Sequence, residues 1–130
     1  MKVLSPVIVL TSYQLDKLAR LVNSTKEHPL DLKSLIEDFA AAKVQIWKTE
    51  QGGLVLTEVA DYRVFSSLYV IGIVGRDILR QAEAIFQDLQ EIKTTYGCRR
   101  IEGETSRRGL KAVFEKLGMT PHSVRYVKED

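Results

Sequence analysis

The stretch "FSSLYVIGIVGRDILRQAEAIFQDLQEIKTTYG", residues 65–97, changes hydrophobic period once, and that change decides how the chain is read. Leu68 to Val74 are almost continuously apolar, which suits a strand covered on both faces. Gly75, Arg76 and Asp77 interrupt the run. From 77 to 96 the apolar residues Ile78, Ala82, Ile85, Phe86, Leu89 and Ile92 recur at helical spacing, and Gly97 supplies a stop. The stretch therefore predicts a central strand followed by a helix packed on its sheet, with Ile85, Phe86 and Leu89 buried.

Upstream, a first strand is expected over 3–10, broken by Pro6. Thr11 or Ser12 can cap a helix carrying Leu15, Leu18, Leu21 and Val22 on one stripe. A second helix opens at Asp31 and carries Leu32, Leu35, Ile36 and Phe39. "VQIWKT" (44–49) and "LVLTEVADY" (54–62) read as strands flanking "EQGG", whose glycines supply the positive φ of a hairpin turn. Downstream, "CRRIEGE" (98–104) is a short strand, "SRRGLKAVFEKL" (106–117) a short helix closed by Gly118, and "SVRYVK" (123–128) a last strand. The fold class is α/β, in the order β-α-α-β-β-β-α-β-α-β, with a mixed sheet and helices on both faces.

The 130 residues, 45% of them apolar, are enough for a buried core, and 1–130 is expected to be a single domain. A net charge of +2 is too small to imply a nucleic-acid or membrane partner. Arg99, Arg100, Arg107, Arg108, Lys111 and Lys116 concentrate charge in the last third. Strand alternation places Arg99 and Arg100 on opposite sides, and the interleaved aromatics of a single-strand binder are missing, so nucleic acid is not the expected partner. Trp47 and Tyr69 read as core or sheet-face residues. One cysteine, Cys98, excludes an intrachain disulfide framework and suits a reducing compartment. The N-terminal "MKVLSPVIVL" has neither the length of a spanning helix nor a signal cleavage site. His28 and His122 stand far apart without ligand-spaced companions, so no metal is expected.

The element order, together with "FEKLGM" at 114–119, resembles the GNAT N-acetyltransferases, whose corresponding helix ends "YEKLGF". The series "VQIWKTEQGGLVLTEV", "GRDI" and "YGCRRIEGETSRRGL" is similar to small GNAT-like proteins of tailed bacteriophages. That resemblance implies a GNAT fold, acetyl-CoA as the possible cofactor, and a host-cytoplasm or phage-virion location. It also implies where chemistry would sit. The pyrophosphate of an acyl-CoA would rest on helix N–H groups near Gly75, Arg76 and Asp77. Only one glycine stands there, and Asp77 carries the wrong charge, so this anion site is reduced; as an alternative, Asp77 simply caps the helix.

The family's proton donor, a tyrosine, is replaced here by Phe114, which has no proton to give. An asparagine common seven residues earlier is replaced by Arg107. Glu58, Glu102 and Glu104 are the candidate general bases, although a lone strand glutamate is more often solvated or paired across the sheet. Two functions follow. One is a non-catalytic virion, assembly or host-interaction component with a protein partner and a degenerate acyl-CoA site. The other is a divergent acetyl-CoA-dependent N-acetyltransferase.

Overall fold

The computed structural model describes residues 1–24, 31–76, 78–103, 108–121 and 128. Among them the elements run β1 (Leu4–Pro6), α1 (Ser12–Ser24), α2 (Leu32–Ala40), β2 (Gln45–Thr49), β3 (Leu54–Asp61), β4 (Ser66–Val74), α3 (Ile78–Thr95), β5 (Arg100–Gly103) and α4 (Arg108–Lys116). The sheet order is β1-β2-β3-β4-β5; the first three pairings are antiparallel and β4–β5 is parallel. A helix separates β4 from β5, as a parallel connection requires. The mixed sheet of the expected order is therefore present, while the last predicted strand, 123–128, falls almost wholly outside the described residues.

Two cores sit on opposite faces of this sheet. Leu18 and Leu21 of α1 and Leu35 of α2 pack on Val44, Ile46, Leu54 and Leu56. Ile85, Leu89 and Ile92 of α3 pack on Trp47, Val55, Leu68 and Val70. Alternate residues of β3 thus serve different cores, which is why a run of consecutive apolar residues was needed there. Both capping expectations hold. Thr11 caps α1 through a reciprocal pair, Gln14 N–H donating to Thr11 Oγ1 at 3.2 Å and Thr11 N–H to Gln14 Oε1 at 2.9 Å. Asp31 caps α2 by accepting from Ser34 N–H at 3.2 Å.

Three differences from the sequence reading have physical reasons. The first strand is only Leu4–Pro6; Ile8 and Val9 beyond it are 84% and 78% exposed, so apolar character alone did not extend the ladder. Phe86 is half-buried. The inward position beside Ile85 and Leu89 belongs instead to Asp88, which is buried. Its carboxylate accepts from the backbone N–H groups of Lys2, Val3 and Leu4 at 2.8–3.1 Å and so ties β1 to α3. One turn on, Glu91 pairs with the Met1 amine at 3.1 Å. Burial alone would raise the Asp88 pKa, but the three N–H donors outweigh it and hold the carboxyl below its ordinary value.

The third difference is a bulge. Leu56 faces Gly72 while Thr57 faces Val70, which leaves Ile71 as an extra residue in β4. Ile71 packs in the α1 core, and a Cβ on Gly72 would come within 2.8 Å of Leu21, so two consecutive residues point the same way. Glycine at 72 is what lets α1 lie flat there. Among the described residues, no helix is long and apolar enough to cross a membrane.

Candidate functional site

β4 outruns the described part of its parallel neighbour. The β4–β5 ladder runs Ser67↔Arg100, Leu68↔Ile101, Tyr69↔Glu102 and Val70↔Gly103, whereas β4 continues through the bulge to Val74. Among the described residues, Gly72–Val74 are paired only on the β3 side. Among the described residues β4 beyond Val70 has no ladder partner on the β5 side, and the residues that directly follow Gly103 lie outside them. Phe114 of α4 stands at this end of the ladder: a Cβ on Gly103 would lie 3.7 Å from both Phe114 Cζ and Val70 Cβ. The helix that carries it packs beside α3.

Two candidate bases share one row on the face that α1 and α2 cover. Glu58 is directly opposite Tyr69, and Tyr69 is directly opposite Glu102, so the three residues cross β3, β4 and β5 in register. Period-two alternation puts them on the side of Leu54 and Leu56. Their environments differ. Burial pushes the half-buried Glu58 carboxyl up, and Asp38 of α2 pushes it further in the same direction. Asp38 is held close because its backbone carbonyl accepts from Lys43 and Val44 at the entry to β2. No described residue donates a hydrogen bond to Glu58.

Glu102 is committed to partners. It accepts from the Tyr62 hydroxyl at 2.8 Å and pairs with Arg100 Nη2 at 2.7 Å. Burial would raise its pKa, but Tyr62, the nearby Ser67 and Arg100 together bring it below the ordinary value. The Tyr62 phenol is held up in turn, first by that hydrogen bond. A carboxylate so engaged is a weak base, whereas Glu58 retains free lone pairs and a raised affinity for protons. Glu104 lies outside the described residues.

The region of Gly75 and Arg76 has a structural role of its own. Gly75 has φ +142°, and a Cβ there would come within 2.6 Å of Gly53 Cα in the β2–β3 hairpin. Two glycines meet backbone to backbone, which fixes the turn into α3 whether or not an anion binds there. Arg76 is exposed, and Asp77 falls outside the described residues. Of the hairpin's two glycines, Gly52 takes the positive φ, at +82°.

The basic residues also depart from expectation. Arg99 precedes β5, so strand alternation does not govern it. Both guanidinium groups approach the same ring, Arg100 at 4.5 Å and Arg99 at 5.4 Å from the Phe65 centroid. Trp47 is buried and donates to Thr57 Oγ1 at 3.0 Å, a core role as expected. Cys98 is buried, and burial pushes its thiol up, away from reactivity. Among the described residues, no cluster of His, Cys, Asp and Glu could hold a metal ion; His28 and His122 lie outside them.

In sequence, no protein-family model and no curated protein matches the chain. Solved structures match it over nearly its whole length. A probable acetyltransferase superposes with a TM-score of 0.67 at 14% identity, covering 98% of this chain and 97% of its own. An acetyltransferase of Trypanosoma brucei gives 0.66 at 20% identity, covering 98% and 99%. The fold is that of the GNAT acetyltransferases. AAC(6')-Iy, solved with the bisubstrate analogue CoA-S-monomethyl-acetylneamine, has the same GNAT architecture, with a TM-score of 0.64 at 16% identity over 98% and 97% of the two chains. At such identities the likeness establishes the architecture, and activity has to be argued from this chain's own residues.

Proposed function

We propose that the chain is a reduced GNAT-fold N-acyltransferase, taking an acyl group from acetyl-CoA or a related thioester and passing it to an amine, with Glu58 as general base. The observation that carries this reading is Glu58 itself: half-buried, without a described donor, raised in pKa, and in register across β3, β4 and β5 with Tyr69 and Glu102. The side of β4 beyond Val70, which has no ladder partner among the described residues, suits the amide groups of a pantetheine arm, which would pair with it as a strand does. The donor supplies an activated thioester. Glu58 takes a proton from the incoming ammonium or amine, directly or through one water, so that nitrogen has a lone pair for attack. Phe114 gives no proton to the departing sulfur. A thiolate is a good enough leaving group to depart charged and be protonated from solvent.

The test is release of free thiol from acetyl-CoA with a panel of amines. Glu58→Gln keeps the shape and removes the base, and is expected to lower kcat/KM by about 10²–10⁴-fold. The pH–rate profile should rise as Glu58 ionises above its raised pKa. A second reading has its own support. Phe114 in place of a hydroxyl, and a Gly75 turn explained by its contact with Gly53, both suit a chain without catalysis, for which service in a phage particle or host complex through a protein partner is the role proposed. No turnover by the native chain on any amine, with no binding of acetyl-CoA, would favour that reading.

A further inference from the structure

α2 has one buried side chain, Leu35, yet its last turn is tightly fixed. Ala42 N–H donates to the Phe39 carbonyl at 3.1 Å and Lys43 N–H to the Asp38 carbonyl at 2.8 Å, the crossed pair of bonds that closes a helix on a left-handed residue. That residue is Ala42, at φ +59°, where glycine is the usual occupant. Val44 N–H brings a further bond to the same Asp38 carbonyl, at 3.3 Å. A side chain held in this region is strained, and such strain commonly persists where a position matters to function.

The turn delivers Asp38 to one place. Continued by one residue, the β2–β3 register sets Val44 across from Glu58, and Val44 belongs to the core on the face that Glu58 shares. Asp38 is therefore bonded through its backbone to the residue opposite Glu58, and its own half-buried carboxylate is the nearby charge that acts on Glu58. The other titratable and charged groups around this row are placed differently. Tyr69 of β4 faces Glu58 directly, while Glu102 of β5 lies two strands away and is held by Arg100 and Tyr62. Lys43 is exposed beside the turn, and Asp16, Lys17 and Arg20 of α1 make no ion pair with either carboxylate.

We infer that Asp38 is a positioning residue for the general base: the Ala42 turn holds its carboxylate beside Glu58, and the two like charges make Glu58 a stronger proton acceptor than a lone carboxylate on this sheet face. This rests on the N-acyltransferase reading and names what regulates its base. Two neighbouring carboxyl groups cannot both ionise freely, so they give up their protons in two steps whose midpoints belong to the pair. Backbone and side chain have separate roles here. The bonds that close the turn use the Asp38 and Phe39 carbonyls, so exchanging the Asp38 carboxylate for an amide leaves the turn closed and removes the charge alone.

The test follows the Glu58 carboxyl by NMR in the full chain labelled with carbon-13 glutamate, its signal identified by its absence from Glu58→Gln. Asp38→Asn should move the Glu58 titration midpoint to lower pH while thermal unfolding confirms that the variant is folded. Asp38→Glu, which keeps the charge, should hold the midpoint near that of the native chain. A second arm needs no variant: raising salt from about 0.1 M to 1 M shortens the screening length from about 10 Å to 3 Å and should lower the native midpoint. A midpoint that stays or rises in Asp38→Asn, one that falls equally in Asp38→Glu, or one that salt leaves in place overturns the inference. Thiol release from acetyl-CoA separates it from the reading on which it rests. Turnover of amines with a Glu58 midpoint indifferent to Asp38 would keep the transferase and lose the tuning, whereas a midpoint that falls in Asp38→Asn without any thiol release would keep the tuning and lose the transferase.

Discussion

Asp88 and Glu58 are carboxylates withdrawn from water on opposite faces of one sheet, and the molecule treats them in opposite ways. Asp88 receives three backbone N–H groups, and its pKa falls despite burial. Glu58 has no described donor and faces Asp38 across the core edge, and its pKa rises. The first arrangement holds the ends of two elements together and commits both carboxylate oxygens to backbone donors. The second is destabilising for the ionised fold, a cost that persists at sites where a group must exchange protons. Carboxylates drawn out of water, one buried and one half-buried, are therefore separated into architecture and chemistry by what donates to them.

The sharpest way to break this contrast is to remove the satisfied carboxylate. Asp88→Ala strands three N–H groups at the β1–α3 seam, and urea denaturation should show a loss of about 3 kcal/mol or more. Asp88→Asn keeps one acceptor oxygen and is expected to fall between. A loss under about 1 kcal/mol for the alanine variant would mean that water replaces the clamp freely and that Asp88 is not architectural.

Asp88 also shows what was and was not legible. Ile85, Asp88, Leu89 and Ile92 occupy one helical stripe, so an aspartate stood on the apolar face in plain view, and its position was a signal for an internal partner. The helix itself, the capping of α1 and α2 and the antiparallel run of β2 to β4 followed from periodicity and turn chemistry. The row Glu58–Tyr69–Glu102 did not, because each glutamate looks solvated alone, and only the pairing register brings them onto one line. The bulge at Ile71 and the Gly53–Gly75 contact depend on tertiary approach that no local pattern encodes.

A smaller effect of opposite sign is expected at Glu58. Glu58→Gln removes a charge that burial and Asp38 both oppose, and should stabilise the fold by about 0.5–1 kcal/mol at neutral pH, the scale of a partly solvated charge pair. The pH dependence carries the same sign. The Glu58 pKa is raised on folding, so its contribution is full below the ordinary value near 4.5 and is lost as pH rises through the raised one. The glutamine variant should therefore lack this alkaline-going decline. Destabilisation by Glu58→Gln at neutral pH would show that Glu58 has a favourable partner and belongs with Asp88.

The smallest expected effect is the coupling between the two. Asp88 is depressed on folding, so its stabilisation is present above the ordinary value near 3.8 and is lost as pH falls through the lowered one. Glu58 acts on the other limb of the same profile, and the sheet lies between them. Side chains on opposite faces share no hydrogen-bond partner here, so the double variant Asp88→Asn, Glu58→Gln should equal the sum of the single variants within about 0.3–0.5 kcal/mol. A larger coupling would mean that the sheet transmits strain from the β1–α3 seam to the row Glu58–Tyr69–Glu102. The satisfied carboxylate would then be setting the position of the unsatisfied one, and the two could no longer be separated into architecture and chemistry.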